Sequence, residues 1–232
     1  MITDFMLEQA RIYLVASLKG QENDHETTHP WRRDWKFTVL HSFQVKNYVL
    51  KILAREDHPL SENDIRLLRL AAVLHDITKL EKGNNHAKTG SNLVQKWLRK
   101  NFADQVTQEE LDALEEIMKN HSDKNGHEPD FAKAVLKDAD LLDEIGAMSI
   151  FMTENWLKKQ SPFFFHNMRR RLKNFEIPYC VQTRTKLNTT GAKQLLDEKE
   201  AFIEYFIQQL SDELNTDVDL ERYLNDFSEE VD

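Results

Sequence analysis

The segment that most restricts what this chain can fold into is residues 70–79, LAAVLHDITK, where an imidazole and a carboxylate interrupt an apolar run. A helix that is apolar on every side belongs in a protein core. An ionised Asp76 placed there must be paired, hydrogen-bonded or bound to a cation, because burial removes its hydration. A divalent metal ion would satisfy Asp76 and the adjacent His75 together.

Further side chains of metal-ligand type occur on other apolar segments. They are His41, His86, His121 and Asp140. Each has a simpler interpretation, since a lone histidine is commonly hydrogen-bonded or on the surface, and Asp140 could lie on the solvent face of an amphipathic helix. His75 and Asp76 are harder to explain this way, because two adjacent polar side chains cannot leave an apolar helix through one narrow stripe. Imidazole and carboxylate together suit several divalent ions, so the residues leave the ion's identity open.

Composition and periodicity predict one helical domain. A chain of 232 residues can bury a substantial core, and 6 Gly, 5 Pro and long segments of period near 3.6 are typical of a nearly all-helical protein. We expect an all-α, single-domain helical bundle over residues 1–232. Within it we expect a metal-binding core at about 35–158 and C-terminal helices at about 160–228 that pack on this core.

Periodicity and end signals place the individual helices. They are predicted at about 4–19, 34–56, 61–79, 86–100, 107–121, 131–152 and 192–214. Ser61 with Asp64, and Thr107 with Glu110, resemble capping boxes that begin two of these helices. A polar loop is expected at 21–30 and a turn at 83–85. We expect residues 160–191 to form short helices or an ordered loop. We expect the acidic tail from 217 to form a short helix or a frayed end.

Charge and cysteine content exclude some classes of function. The formal net charge of -9 argues against a nucleic-acid polymer as the ligand, but it allows a small nucleotide whose phosphates meet a bound cation. The single Cys180 excludes an internal disulfide and a zinc–thiolate site, and it is typical of a reducing compartment, so we expect a cytoplasmic protein. No signal-peptide pattern and no membrane-spanning run of roughly 20 apolar residues is present, so we expect no membrane partner. The sequence leaves the oligomeric state open.

The ligand candidates occur in a recognisable order. His41 lies in HSFQV at 41–45, His75 and Asp76 in AAVLHDITK at 71–79, and Asp140 in DADLLDEIGA at 138–147. This order resembles the signature of the HD-domain superfamily of metal-dependent phosphohydrolases. Together with LNTTGAK at 187–193, it is similar to a bacterial branch of small stand-alone HD proteins. The resemblance implies an HD-type bundle in which His41, His75, Asp76 and Asp140 bind one ion.

The resemblance also bears on a second ion. His86 and His121 match positions that bind a second ion in two-metal HD enzymes, where Asp76 would bridge the two. This chain departs from the fullest two-metal pattern, which has paired histidines where this chain has His121 and Ser122. The expected cofactor is therefore one or two divalent ions, of Mn, Mg, Fe, Zn, Co or Ni.

The activity that the resemblance implies is hydrolysis of a phosphate ester or anhydride of a nucleotide or another small phosphorylated metabolite. Asp76 would ligate an ion and accept a proton from its water, and Lys79, near the same face, would contact a phosphate oxygen. The alternative for Lys79 is a solvated lysine at a helix end. Asp143 and Glu144 would line the cleft, support it from outside or lie on the surface. The alternative functions are a dinucleoside polyphosphate hydrolase, a non-catalytic metal- or nucleotide-binding module, and a helical interaction domain without metal.

A mixed basic and aromatic segment, HPWRRDWK at 29–36, precedes the first ligand helix. Arg32, Arg33 and Lys36 are candidates for binding the substrate phosphates, while a tryptophan of the segment stacks on a base. The alternative is a loop whose aromatic side chains pack on the core.

Overall fold

The computed structural model describes residues 1–23, 29–58, 60–81, 85–216 and 223–224. These residues are mainly α-helical, and their extended pairing is a single bridge between Glu22 and Asp34, so the all-α prediction is confirmed. The helices are α1 (Asp4–Leu18), α2 (Trp35–Leu53), α3 (Glu62–Leu74), α4 (His86–Phe102), α5 (Gln108–Met118), α6 (Phe131–Leu142), α7 (Ala147–Thr153), α8 (Phe164–Arg171), α9 (Ile177–Lys186) and α10 (Thr190–Leu214).

Local capping explains where several helices begin. The hydroxyl of Ser61 accepts the backbone N–H of Asp64 at 3.2 Å, and the Asp64 carboxylate accepts the N–H of Ser61 at 3.0 Å. Thr107 and Glu110 form the same reciprocal pair at the start of α5. Asp130 caps α6 by accepting the N–H of Lys133 at 3.0 Å. Both capping boxes that the sequence predicted are therefore formed.

The first of two compact units comprises Met1–Asp143 and Lys186–Lys193. Within it α2 packs against α1, α3 and α6, while α3 also contacts α1, α5 and α6. Residues 70–74 at the end of α3 are buried, as their apolar character predicted. Several helices thus surround the end of α3, where the His75 and Asp76 pair follows.

The ends of α3 and α5 differ from the prediction. The α-helical bonding of α3 stops at Leu74, and His75 is its C-cap. Tighter turns follow, with Ile77 N–H bonded to Leu74 O at 3.2 Å and Lys79 N–H to Asp76 O at 2.9 Å. α5 likewise ends at Met118, so His121 lies in the turn beyond it. His75, Asp76 and His121 therefore project from the ends of helices, where a side chain can point along the helix axis as well as away from it.

The helix predicted over 131–152 is two helices. α6 ends at Leu142 and α7 begins at Ala147. Between them Glu144 has φ 67° and Gly146 has φ 97°, left-handed conformations that no α-helix tolerates. The periodic pattern continues across the break, so periodicity alone could not reveal it.

The start of α10 is fixed by Asp138 of α6. Thr189, the residue before α10, donates its backbone N–H to the Asp138 carboxylate at 2.7 Å. The Thr189 hydroxyl accepts the N–H of Ala192 at 3.3 Å and so caps the helix. As a result α10 begins at Thr190, two residues before the predicted start.

The second compact unit comprises Glu144–Thr185 and Gln194–Asp232. The segment at 160–191, which belongs to this unit as far as Thr185, forms α8, a π-helical turn at Leu172–Glu176 and α9, in line with the predicted short helices. Arg171 stacks over the rings of Trp156 and Phe175, at 5.4 and 4.6 Å from the ring centroids. Arg184 forms ion pairs with Asp197 and Glu200.

Some predictions fall outside the described part of the chain. These are the turn at Gly83 and Asn84, the middle of the loop at 21–30, and the acidic tail from 217 apart from 223 and 224. The organisation of the two units as one domain stays a prediction. Every helix in the described residues is too short or too polar to cross a lipid bilayer.

Candidate metal centre

Side chains far apart in the sequence converge within the first unit. α2, the end of α3, the first residue of α4, the turn after α5, and α6 each contribute at least one of them. The converging side chains are His41, His75, Asp76, His86, His121 and Asp140. The structure thus brings together all six side chains that the sequence and the resemblance singled out as metal ligands.

Four donor atoms form the first group: His41 Nε2, His75 Nε2, Asp140 Oδ1 and Asp76 Oδ2. His41 Nε2 lies 3.3 Å from His75 Nε2, 3.2 Å from Asp140 Oδ1 and 3.6 Å from Asp76 Oδ2. His75 Nε2 lies 3.6 Å from Asp76 Oδ2 and 3.7 Å from Asp140 Oδ1. Donors that share one ion at about 2.1 Å are about 3.0 to 3.4 Å apart. The ligand atoms of His41, His75 and Asp140 also lie within 4.8 Å of one another. These three donors are therefore spaced nearly as in a coordination shell, with Asp76 Oδ2 beside them.

Three donor atoms form the second group on the other side of Asp76. Asp76 Oδ1 lies 3.2 Å from His86 Nε2 and 3.3 Å from His121 Nε2. The rings of His86 and His121 are 5.2 Å apart between centroids, at 67° to each other. Because Asp76 directs Oδ2 to the first group and Oδ1 to the second, one carboxylate connects both.

Hydrogen bonds on the far side of the imidazoles fix their orientation. Nδ1–H of His75 donates to the carbonyl of Ala72 at 2.8 Å, and Nδ1–H of His121 donates to the carbonyl of Met118 at 2.8 Å. A carbonyl can only accept, so Nδ1 of both rings carries a hydrogen, and in the neutral form of either ring the Nε2 lone pair is directed at the centre. His41 Nδ1 lies 2.7 Å from Asp143 Oδ2, which orients the third ring. These contacts are the kind that support metal-binding histidines.

The electrostatics of the centre depend on two buried carboxylates. Burial alone would raise their pKa values, but the groups that face them outweigh burial. His75, together with His121 and His86, holds the pKa of Asp76 well below its usual range. Lys124, together with His41, holds the pKa of Asp140 well below its usual range. Burial opposes the charge of His41, yet its hydrogen bonds to Asp140 and Asp143 raise its pKa to about 10. His41 must therefore lose a proton before Nε2 can bind an ion.

The donor chemistry fits a divalent metal. Two imidazole nitrogens and two carboxylate oxygens in the first group match the ligand types of first-row transition ions, and manganese and magnesium accept the carboxylates as well. The hydrogen bonds at Nδ1 of His75 and His121 orient their Nε2 atoms toward the centre, which reduces the entropy that binding would cost. His41, His75, Asp76 and Asp140 would hold a first ion, and Asp76, His86 and His121 a second.

Two lysines border the centre. Lys79 Nζ lies 3.7 Å from Asp76 Oδ1 and 3.4 Å from His86 Nε2, and its side chain is 46% exposed. Lys124 Nζ lies 2.6 Å from Asp140 Oδ2, with 18% of its side chain exposed. The sequence analysis proposed Lys79 but missed Lys124, whose only sequence signal is its position three residues after His121.

Of the three positions that the sequence analysis considered for Asp143, the structure shows the supporting one. It ends α6 in an extended conformation, and its buried carboxylate contacts His41 across 102 residues of sequence. The break between α6 and α7 follows directly after this contact, because ψ of Asp143 is 146° and the backbone leaves the helical path there. Asp143 therefore supports the centre through His41.

The proposed substrate residues lie just before His41 on the chain. Arg32, in a 3-10 helix at Pro30–Arg32, has its guanidinium 5.8 Å from the Phe37 ring centroid. Lys36 Nζ lies 3.4 Å from Asp34 Oδ2 and 5.6 Å from the Trp35 ring centroid. Arg33 is the C-cap of the 3-10 helix. Substrate binding by these three residues stays a prediction.

Comparisons with known proteins place this centre in a family context. The family model described as HD domain matches residues 38–145, and no curated protein matches the chain. A predicted HD superfamily hydrolase from an uncultured Thermotogales bacterium has a TM-score of 0.60 at 18% identity, covering 90% of this chain and 93% of that chain.

Two further solved structures share the fold. Bacillus subtilis YpgQ, crystallised in complex with ADP, has a TM-score of 0.58 at 20% identity, covering 92% of this chain and 97% of that one. The Lin1889 protein of Listeria innocua has a TM-score of 0.55 at 18% identity, covering 92% of this chain and 98% of that one. The matched segment 38–145 contains all six converging side chains, and over these residues the chain is an HD domain.

Proposed function

We propose that the protein is a metal-dependent phosphohydrolase that cleaves a phosphate ester or anhydride of a nucleotide or another small phosphorylated metabolite. The observation that carries this proposal is the position of Asp76. Its two oxygens face two groups of imidazole nitrogens, within 3.6 Å on one side and 3.3 Å on the other. A structural ion pair needs no such arrangement, whereas hydrolysis at phosphorus by two ions needs them close together, as a carboxylate between two donor groups would hold them.

A bound divalent ion would lower the pKa of a coordinated water and neutralise charge on the phosphoryl group. The chain's own residues supply the rest. The Asp76 carboxylate is placed to bind the ion and to accept a proton from its water, and because its lowered pKa makes it a weak base, ion binding is the main role that we propose for it. The partly exposed Lys79 ammonium lies at the edge of the second group, where it can bind a phosphate oxygen.

The substrate class rests on two supports. The formal net charge of -9 disfavours a nucleic-acid polymer, and YpgQ, which shares the fold, was crystallised with ADP. We infer that a nucleotide is the substrate and that Arg32, Arg33 and Lys36 bind its phosphates. Because the first group offers four donors and the second three, the ion-to-protein ratio of active protein distinguishes one-ion from two-ion chemistry.

Metal-stripped protein tests the proposal. After reloading with Mn²⁺, Mg²⁺, Co²⁺, Ni²⁺, Fe²⁺ or Zn²⁺, it is assayed for phosphate or pyrophosphate release from nucleoside mono-, di- and triphosphates, dinucleoside polyphosphates and sugar phosphates. We expect activity that requires the ion and falls at least about 100-fold in Asp76→Ala. Asp112→Asn is the matched control, since Asp112 is an exposed aspartate that contacts Gln108. Far-ultraviolet circular dichroism verifies that both variants are folded.

Binding of an ion without turnover of any substrate would contradict the proposal. It would favour a non-catalytic metal- or nucleotide-binding module, whose mark is a large fall in melting temperature on chelation. Turnover confined to dinucleoside polyphosphates would identify that narrower class of hydrolase.

A further inference from the structure

Lys124 makes the shortest charged contact that the structure describes at the metal centre. It lies in the connection between α5 and α6, and its Nζ donates to Asp140 Oδ2 at 2.6 Å. The same ammonium donates to the backbone carbonyl of Lys137 at 3.3 Å. Both acceptors belong to α6, so the ammonium is held against this helix from two points.

The two oxygens of Asp140 consequently face different partners. Oδ1 faces the first group, 3.2 Å from His41 Nε2 and 3.7 Å from His75 Nε2, while Oδ2 faces the ammonium. A carboxylate that binds an ion through both oxygens must turn both toward it. Rotation of Asp140 for this purpose would break the bond to Lys124 and leave the ammonium beside a dication, which it repels, without its carboxylate partner.

The loss of one Asp140 oxygen as a ligand weakens the binding of some divalent ions more than that of others. Ca²⁺ takes six to eight oxygen ligands at about 2.3 to 2.6 Å and commonly uses two-oxygen carboxylates, whereas smaller ions need fewer donors at about 2.0 to 2.2 Å. Imidazole nitrogens already favour transition ions over Ca²⁺. Limiting Asp140 to one oxygen removes a further ligand that Ca²⁺ would use.

We propose that Lys124 is a positioning residue that holds Asp140 to a single coordinating oxygen and thereby makes the centre select small divalent ions over Ca²⁺. This inference rests on the metal centre of the proposed function. A lysine that only ties the α5–α6 connection to α6 would change the stability of the fold when replaced. It would leave the preference between two ions unchanged.

Titration calorimetry on the metal-stripped full chain tests the proposal with Mn²⁺ and Ca²⁺ as probes. The measured quantity is the ratio of the Ca²⁺ to the Mn²⁺ dissociation constant. Removal of the ammonium strengthens binding of every dication, but the ratio cancels that common effect. We expect the ratio to fall about tenfold in Lys124→Met. Lys124→Arg, which keeps a donor for Oδ2, should stay close to the original ratio.

Lys133→Met is the matched control. Lys133 is a part-buried lysine of α6 that pairs with Glu116 at 3.0 Å, and we expect its replacement to leave the ratio unchanged. Lys124→Gln is the second variant without the ammonium, and it is measured if Lys124→Met does not fold. A ratio within twofold of the original in the folded variant would overturn the inference and leave the proposed function standing. If the original chain bound neither Mn²⁺ nor Ca²⁺, the inference and the proposed function would both be overturned.

Discussion

Replacing Asp138 with alanine should strongly destabilise the first unit. Asp138 is fully buried in α6, and its carboxylate accepts bonds from four donors at the start of α10. These are Asn188 N at 3.0 Å, Asn188 Nδ2 at 3.0 Å, Thr189 N at 2.7 Å and Thr189 Oγ1 at 2.8 Å. The side chain thus joins two segments 50 residues apart, two residues before Asp140.

The cost follows from the donors left without a partner. The Thr189 hydroxyl can turn elsewhere, but the backbone N–H groups of Asn188 and Thr189 cannot. Each buried donor that loses its acceptor costs about 1 to 3 kcal/mol, so with two such donors Asp138→Ala should lose about 2 to 6 kcal/mol. Asp138→Asn keeps one oxygen and should lose less, about 1 to 2 kcal/mol. Its new amide would face Asn188 Nδ2, and Asn188 cannot flip because its Oδ1 accepts the N–H of Glu128 at 2.8 Å.

Urea unfolding followed by circular dichroism at pH 7 measures both losses. With a denaturant dependence of about 3 kcal/mol per molar, the midpoint should fall by about 1 to 2 M in Asp138→Ala. Asp130→Ala is the control, since it removes one exposed cap of α6 and should cost about 1 kcal/mol. A loss in Asp138→Ala no greater than in Asp130→Ala would refute the reasoning.

Three other predictions concern protons, a thiol and a glycine. The raised pKa of His41, about 10, means that ion binding at pH 8 should release about one proton per ion, as measured by calorimetry in buffers of different ionisation enthalpy; equal heats in all buffers would contradict this. Burial, with Glu200 and Glu176 nearby, raises the pKa of Cys180 to about 11, so the native thiol should resist a disulfide reagent at pH 8 that labels it fully in denaturant; rapid native labelling would contradict it. Gly191→Ala should lower the free energy of unfolding by about 1 to 3 kcal/mol, because a Cβ there would lie 2.8 Å from the Ile52 carbonyl oxygen, and an unchanged melting temperature would disprove the clash.

Linear patterns in the sequence predicted most of the helices. The capping boxes at Ser61 and Thr107 predicted two starts correctly, because a cap is a contact between residues three apart and needs no tertiary partner. The end of α6 was missed because the left-handed conformations at Glu144 and Gly146 interrupt a pattern that remains periodic. Apolar periodicity records which side of a helix is buried and carries little information about where the backbone turns.

The donor set was also readable from the sequence, through the apolar setting of His75 and Asp76 and the order of His41 and Asp140. What the linear order could not reveal is how one carboxylate divides its oxygens. Asp76 faces two groups because α3 ends at Leu74, and Asp140 is shared with Lys124 because the α5–α6 connection returns to α6. These arrangements depend on rotations of single side chains within a packed interior.

The sequence by itself determined the helical class, the capped helix starts and the kinds of donor atom available, since each follows from residue type and short-range spacing. Only the tertiary structure decided which donors meet and which distant residues, such as Asp143, support them. His41 and Asp143, 102 residues apart, are 2.7 Å from each other because α2 packs against α6. Contacts of this kind depend on the whole fold, so no local pattern encodes them.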